Sequence, residues 1–266
     1  MREPLKLMTF NILTGGGEEV RFSRIKDLIR RVRPDILVLQ ECLDWEKGDR
    51  VKQIAQTLEI PYEEAHARLA LARPRGSGKC YHIGVWSRFP LESFKSHNDP
   101  AFIGHALAEF QVRWGDEPLT IFGAHFDSKN ENLRFVETRY LRSLLDPAAF
   151  RKGLYALAGD LNSLSSSDPY PPELESLLRE SLTTKYNLPP RFEVTQELEE
   201  YGWVDGLYLN PPLRWVTATR DRGGLRIDYR NDYIMFSPAL AKHAAQVEVL
   251  PLKDESDHSP VLSVLY

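Results

Sequence analysis

Several apolar runs in this sequence stop abruptly at a residue that can do chemistry. Leu154-Tyr155-Ala156-Leu157-Ala158 ends at Gly159 and delivers Asp160 and, two residues on, Asn162. An apolar run bounded by glycine reads as a buried strand, and strand ends are where an open α/β sheet places catalytic groups. A carboxylate and an amide are hard oxygen donors, better suited to Mg²⁺ or Mn²⁺ than to zinc. In an extended chain positions i and i+2 share a face, so Asp160 and Asn162 are expected on one side. Taken alone, Gly-Asp-Leu-Asn equally describes a strand closing in an Asx turn. The run from Asp35 to Gln40 repeats the design and ends in Glu41, and Ile121-Phe122-Gly123-Ala124 ends at His125. A lone histidine on a strand is usually a hydrogen-bonded structural residue, but one that closes an apolar run is also a site candidate.

Strands must present these groups and helices must cover the strands. Leu5 to Ile12 reads as a first strand with Asn11 at its polar end, running into Thr14-Gly15-Gly16-Gly17. No Lys-Ser/Thr follows, so the glycines read as a permissive turn rather than a phosphate loop. Phe22, Ile25, Leu28, Ile29 and Val32 recur at helical spacing, predicting a helix over Arg21–Val32 that Pro34 stops. A second short helix is predicted over Arg50–Leu58. A third, over Asn132–Leu145, should turn Leu133, Val136, Tyr140, Leu141, Leu144 and Leu145 inward. Tyr81–Ser87, Ala106–Trp114, Leu119–Phe126, Ile234–Phe236 and Val261–Leu265 read as further strands. Arg68–Lys79, basic and free of acids, reads as a loop or ribbon, and Thr217–Gly224 as a charged loop. Ser163–Pro172 and Pro189-Pro190 read as surface loops around a helix at Pro172–Ser181.

The 266 residues suffice for a full core. An apolar fraction of 42% and a charged fraction of 27% place the chain among soluble globular proteins. A net charge of -4 argues against coating nucleic acid by bulk charge and leaves recognition to local patches. Cys42 and Cys80 are too few for a disulfide framework and read as reduced thiols. The amino terminus turns polar at Asn11 before any signal-peptide core forms, and no apolar run approaches membrane length. The expectation is a cytoplasmic monomer with no membrane contact and no obligate protein partner. There is no internal repeat or long linker, and the site candidates run from Asn11 to His258. If they meet, residues 1–266 build one domain.

Taken in order, the motifs are Met8-Thr9-Phe10-Asn11, Leu39-Gln40-Glu41, Ile83-Gly84-Val85-Trp86-Ser87-Arg88, Ala124-His125, Gly159-Asp160-Leu161-Asn162, Asp232-Tyr233 before a strand, and Ser256-Asp257-His258. In that order and spacing the sequence resembles the endonuclease/exonuclease/phosphatase superfamily. These metal-dependent phosphoesterases include deoxyribonuclease I, abasic-site endonucleases, sphingomyelinases and inositol-phosphate 5-phosphatases. Each motif alone is weak, but the ordered set is specific and covers nearly the whole chain. The resemblance implies an α/β fold, a four-layer α/β/β/α sandwich of two mixed sheets like that of deoxyribonuclease I. It implies that Glu41 binds the divalent metal, Mg²⁺ or Mn²⁺, with help from Asn11, Asp257 and Asp160. Asp160 and Asn162 would position the attacking water and the phosphate, His258 would be the catalytic imidazole oriented by Asp232, and His125 would donate to a phosphate oxygen. The residue types suit the task, since a phosphodiester anion repels hydroxide and a divalent cation offsets that repulsion. An imidazole with an ordinary pKa of roughly 6.5 exchanges protons near neutrality. Either Asp160 or His258 can take the proton from water.

The chain departs from the family pattern in having two acidic heads, Arg226-Ile227-Asp228-Tyr229 and Arg230-Asn231-Asp232-Tyr233. Asp232 is the choice because it leads directly into Ile234-Met235-Phe236, with Asp228 as the substitute. The implied activity is phosphodiester hydrolysis, with DNA or RNA as the expected substrate and partner. Arg73, Arg75 and Lys79 precede one strand while Arg220, Arg222 and Arg226 precede another. Arg73, Arg75 and Arg222 are therefore candidates for backbone phosphate contacts, although plain surface arginines would look the same. A small phosphorylated or lipid-derived substrate is the alternative. Abasic-site specificity is disfavoured because Glu41 is followed by Cys42-Leu43 and Asn162 by Ser163-Leu164. A binding module that has lost its chemistry should have lost acids, and every one is present.

Overall fold

The computed structural model describes residues 2–74, 78–180, 185–210, 214–222 and 225–266. In β1 (Leu5–Asn11), Leu5 and Leu7 face one way and Met8 and Phe10 the other, so the strand needs cover on both sides. It pairs parallel with β2 (Ile36–Leu43) and antiparallel with β14 (Val261–Leu265). With β3 (Ala67–Ala70), β4 (Tyr81–Ser87) and β13 (Ala244–Val249) they form a sheet of order β13-β14-β1-β2-β4-β3. A second sheet has the order β5-β6-β7-β8-β12-β9. Its strands are β5 (Leu91–His97), β6 (Ala106–Trp114), β7 (Glu117–His125), β8 (Leu154–Asp160), β9 (Val204–Asp205) and β12 (Asp232–Phe236). Each sheet holds one parallel pair, β1 with β2 and β7 with β8, and a parallel pair requires a crossover. The crossovers are α1 (Glu19–Val32) in the first sheet, and α3 (Glu131–Ser143) with α4 (Pro147–Lys152) in the second.

Three apolar clusters make the layering. Leu7, Val38, Ile83 and Val85 of the first sheet meet Ala108, Phe110, Ile121, Ala158 and Ile234 of the second between the sheets. Phe22, Ile25 and Ile29 of α1, with Ile54 and Ala55 of α2 (Arg50–Leu58), cover Met8, Phe10, Leu37 and Leu39. Leu141, Phe150 and Val194, the last from α6 (Glu193–Tyr201), cover Phe122, Leu157 and Met235. The result is the α/β/β/α sandwich of two mixed sheets. No helix among the described residues is long and apolar enough to cross a membrane.

Three segments differ from the sequence reading. Arg68–Ala70, the start of the segment read as a basic loop or ribbon, belongs to the edge strand β3 (Ala67–Ala70), and Leu91–His97 is the edge strand β5, which carries Glu92 and Lys95 in place of clean alternation. Charged residues are how edges avoid further pairing, and they hide the strand from a pattern search. The charged loop at Thr217–Gly224 includes β10 (Ala218–Arg222), which pairs with β11 (Leu225–Tyr229). In α3 the helix is where the periodicity puts it, but the facing is different: Leu133 and Val136 are 46% and 38% exposed. The buried stripe is Glu131, Arg134, Glu137 and Thr138 with Leu141. Arg134 pairs with Glu131 and donates to Asp127 O at 2.8 Å, while Glu137 accepts from Gly104 N at 2.6 Å and Asp127 N at 2.7 Å. Charges that are fully hydrogen-bonded tolerate burial, so this face ties down loops instead of packing apolar side chains.

Candidate active site

The site lies one step beyond the last apolar layer between the sheets. Inward positions on β8 run Leu154, Ala156, Ala158, and the next is Asp160; on β12 they run Phe236, Ile234, and the next is Asp232. On β7 the corresponding position is His125, two residues beyond Gly123. Register then sets the three in one row, His125 opposite Asp160 and Asp160 opposite Asp232. Gly159 allows this, because a Cβ there would stand 2.0 Å from Ala124 O on the neighbouring strand. From the facing sheet Asn11 Nδ2 donates to Asp160 Oδ2 at 2.9 Å. His125 Nε2 and His258 Nδ1 stand 3.9 and 3.8 Å from the same oxygen.

Two site residues are delivered by left-handed backbone rather than by plain extended chain. Asn162 has φ 53, so it does not simply share a face with Asp160. Its N–H caps Asp160 Oδ1 at 2.8 Å, the Asx turn, and its Nδ2 donates to Phe126 O at 2.9 Å. Glu41 has φ 60 at a point where the register of β2 against β4 slips between Leu39 and Cys42. A bulge re-aims a side chain, and here it turns Glu41 toward Asn11 Nδ2 at 3.4 Å. The glycine turn that follows β1 brings Thr14 N to Glu41 Oε2 at 2.7 Å, and Leu13 N donates to Asn11 Oδ1 at 3.0 Å.

His258 Nδ1 bonds Asp232 Oδ2 at 2.8 Å, whereas Asp228 sits in β11 with Thr219 Oγ1 at 2.7 Å and Arg226 Nε at 3.1 Å. The loop carrying His258 is held by Ser256 Oγ, which donates to Asn11 O at 2.7 Å, and by Ser259 N, which donates to Thr217 O at 2.6 Å. Thr217 Oγ1 accepts from Asn231 N at 2.9 Å and Asp232 N at 3.1 Å, so one buried residue steadies both ends of the His258–Asp232 pair, through its hydroxyl at one end and its carbonyl at the other. Asp257 is exposed at the rim, with Ser256 Oγ 3.4 Å from its Oδ1. Arg73 is exposed, Arg75 lies outside the described residues, and the side chain of Arg222 is not among those described.

Burial alone would lower the His258 imidazole, but Asp232 and then Asp160 outweigh it and hold it above its ordinary value, at about 10. Burial would raise Asp160, yet His258, Lys185 and His125 together with the Asn11 hydrogen bond keep its carboxyl below the usual range. Burial pushes His125 down. Burial raises Asp232 to about 6 even against the pull of His258, so at neutral pH the site pairs an imidazolium with ionised Asp160 and Asp232. Asp160, Asp232 and His258 each bring a ligand atom within 4.8 Å of the others. Asp232 Oδ1 is buried without a hydrogen-bond partner. The His258 nitrogen in that group already bonds Asp232. The remaining donors, including Glu41 and Asn11, are oxygens, and that set fits a hard divalent cation.

Residues that the sequence reading missed frame the row. His105 stacks on His125 with centroids 4.3 Å apart and 10° between planes, and Tyr81 meets it edge-on at 5.8 Å. His105 precedes the apolar run of β6, so a search of strand starts as well as strand ends would have found it, since antiparallel strands bring both to one mouth. Thr217 and Lys185 come from segments without periodicity and carry no such signal.

The Endonuclease/Exonuclease/phosphatase family model matches residues 8–258, an interval that ends on His258. Among solved structures, a Neisseria 3′ phosphatase bound to a product DNA hairpin is similar with TM-score 0.71 and 21% identity, covering 98% of this chain and 99% of that one. An AP endonuclease from Archaeoglobus fulgidus has TM-score 0.68 and 16% identity, covering 98% and 99%. A mannosyl-6-phosphatase from Bacteroides thetaiotaomicron has TM-score 0.67 and 14% identity, covering 98% and 100%. No curated protein matches the sequence. At these identities the likeness is one of fold.

Proposed function

The chain belongs to the endonuclease/exonuclease/phosphatase family, whose members are phosphoester hydrolases, and on that footing we propose that it is a divalent-metal-dependent phosphodiesterase acting on nucleic acid. The observation that carries the reading is the row His125–Asp160–Asp232 with His258 bonded to its last member. Asp160, anionic and fixed by Asn11 and the Asn162 N–H, orients the attacking water. His258, held charged by Asp232, donates from its second ring nitrogen to a phosphoryl oxygen or to the leaving oxygen. His125 and Asn162 donate to the phosphate. Water oxygen bonds to phosphorus as the opposite P–O bond breaks; Asp160 takes the proton that the water loses, and the His258 imidazolium supplies one to the leaving oxygen. Glu41 with Asn11, Asp257 and Asp160 would hold a Mg²⁺ or Mn²⁺, which would supply charge neutralisation and polarisation of the phosphoryl oxygen.

Nucleic acid as substrate is supported by the exposed Arg73 and by two fold neighbours, one an AP endonuclease and one bound to a DNA hairpin. A small phosphorylated substrate is the second reading, favoured by the mannosyl-6-phosphatase neighbour. The free thiols Cys42 and Cys80 support a reducing, cytoplasmic setting, and the core shared by both sheets supports one domain over 1–266. The test is a panel of duplex, single-stranded and RNA oligomers, sugar phosphates, inositol phosphates, sphingomyelin and bis-p-nitrophenyl phosphate with each metal. Cleavage of oligomers at least as efficient as that of the small esters is the expected result. A sugar phosphate as the preferred substrate would move the assignment to the second reading, and silence on every ester would overturn the hydrolase.

A further inference from the structure

Lys185 lies against Asn231, just before the start of β12, in the stretch between α5 (Leu174–Glu180) and α6. Its backbone is anchored, since the buried Arg134 donates to Lys185 O and the next residue, Tyr186, is buried edge-on against Tyr229. In the orientation of the Asn231 amide that satisfies its surroundings, Lys185 Nζ donates to Asn231 Oδ1 at 3.0 Å, and the amide nitrogen donates to Arg230 O at 3.3 Å. Asn231 immediately precedes Asp232, and its carbonyl accepts at 2.8 Å from Leu161 N, immediately after Asp160. The ammonium is therefore one side chain removed from both acids of the row. Burial, aided by Arg134, pushes the Lys185 ammonium below its ordinary value against the pull of Asp160, Asp232 and Asp257, and its field in turn lowers Asp160.

The make-up of the mouth gives this position a purpose. Glu41, Asp160, Asp232 and Asp257 gather there, and an anionic phosphoryl group would have to approach against them. A lysine side chain beside the row offsets that repulsion. In a low-dielectric mouth a single uncompensated charge acts far more strongly than in water. Arg134 anchors the segment through the backbone, and Asn231 with the Tyr186 ring, 5.4 Å from Nζ to its centroid, fixes where the ammonium lies.

We propose that Lys185 is a catalytic residue whose ammonium donates to a non-bridging phosphoryl oxygen and stabilises the charge that builds there as water attacks. Lys185 keeps its proton, and the proton released by water passes to Asp160, because the His258 imidazolium already carries both of its own. The inference rests on the phosphoesterase reading above. The test compares the full-length wild type with Lys185→Met and Lys185→Arg on bis-p-nitrophenyl phosphate with Mg²⁺, alongside thermal unfolding. Removing one such donor should lower kcat by ~10²–10³-fold in Lys185→Met with KM within about threefold, and Lys185→Arg should recover about tenfold or more. The unfolding midpoint of Lys185→Met should not fall. An active wild type beside Lys185→Met within about twofold of it overturns the inference alone. So does equal impairment of both variants with a lowered midpoint, which marks a brace. A wild type silent on every phosphoester overturns the hydrolase reading and this inference with it.

Discussion

Arg230 and Asp232 flank Asn231 at the start of β12, yet they belong to buried charge clusters of different design. Arg230 bonds both oxygens of Asp205 at 3.0 and 2.6 Å and reaches Asp168 Oδ2 at 3.2 Å. Asp168 accepts further from Tyr208 at 2.7 Å and Tyr170 at 3.0 Å, and the guanidinium lies 4.2 Å from the Tyr233 ring centroid. Every charge there is met by a partner within the chain. Around Asp232, by contrast, Asp232 Oδ1 and His125 Nδ1 are buried without hydrogen-bond partners, and acids outnumber cations. A saturated cluster holds the chain together, whereas an unsaturated one is held together by its surroundings until something binds.

The largest effect that should separate the two is chelation. Excess chelator is expected to abolish hydrolysis and Mg²⁺ or Mn²⁺ to restore it, while the unfolding midpoint stays near that of metal-free protein; sustained turnover in chelator would sink the metal assignment. Next, Asp160→Asn and His258→Ala should each cost ~10²–10⁴-fold in turnover without unfolding the chain. A stability loss as large as the activity loss would show that the site is scaffold after all. Arg230→Ala should do the reverse and destabilise by about 3–5 kcal/mol, because it strands two buried carboxylates. Equilibrium denaturation reads this directly, and a wild-type midpoint would refute the contrast. Asp232→Asn should impair turnover more than Asp228→Asn, whose side chain is occupied with Thr219 and Arg226; the opposite ranking in kcat would reassign the orienting acid.

The smallest effect is in pH. His258 is raised above its ordinary value, so its pair with Asp232 is at full strength just below roughly 6.5, the unfolded imidazole value, until Asp232, which burial raises to about 6, takes up a proton of its own. That contribution fades as pH climbs through about 10, where the folded imidazole loses its proton. The guanidinium of Arg230 does not titrate in that window. The stability gap between wild type and His258→Gln should therefore narrow as pH rises through about 10, and the gap for Arg230→Ala should not. Parallel pH profiles for the two variants would argue against an imidazolium in the site.

The sequence by itself determined the strands at the heart of each sheet, because β1, β2, β7, β8, β12 and β14 are buried and their apolar runs admit little else. It also determined which residues close those runs, and period-2 alternation then placed Asp160 on the same face as Ala158 and Ala156. Edge strands β3 and β5 escaped it, since solvent on one side removes the need for an apolar pattern. So did the inward face of α3, where buried Glu131, Arg134 and Glu137 satisfy one another and nearby backbone instead of water. Tertiary structure alone decided which charges meet. Asn11 and Asp160 are 149 positions apart, and His258 and Asp232 are 26 apart. The bulge that aims Glu41 and the turn that makes Asn162 cap Asp160 depend on strand register, which local pattern does not encode. A carboxylate's type is written in the chain, but its partner is fixed by sheet pairing, and it is the partner that makes one acid a brace and another a reactive group.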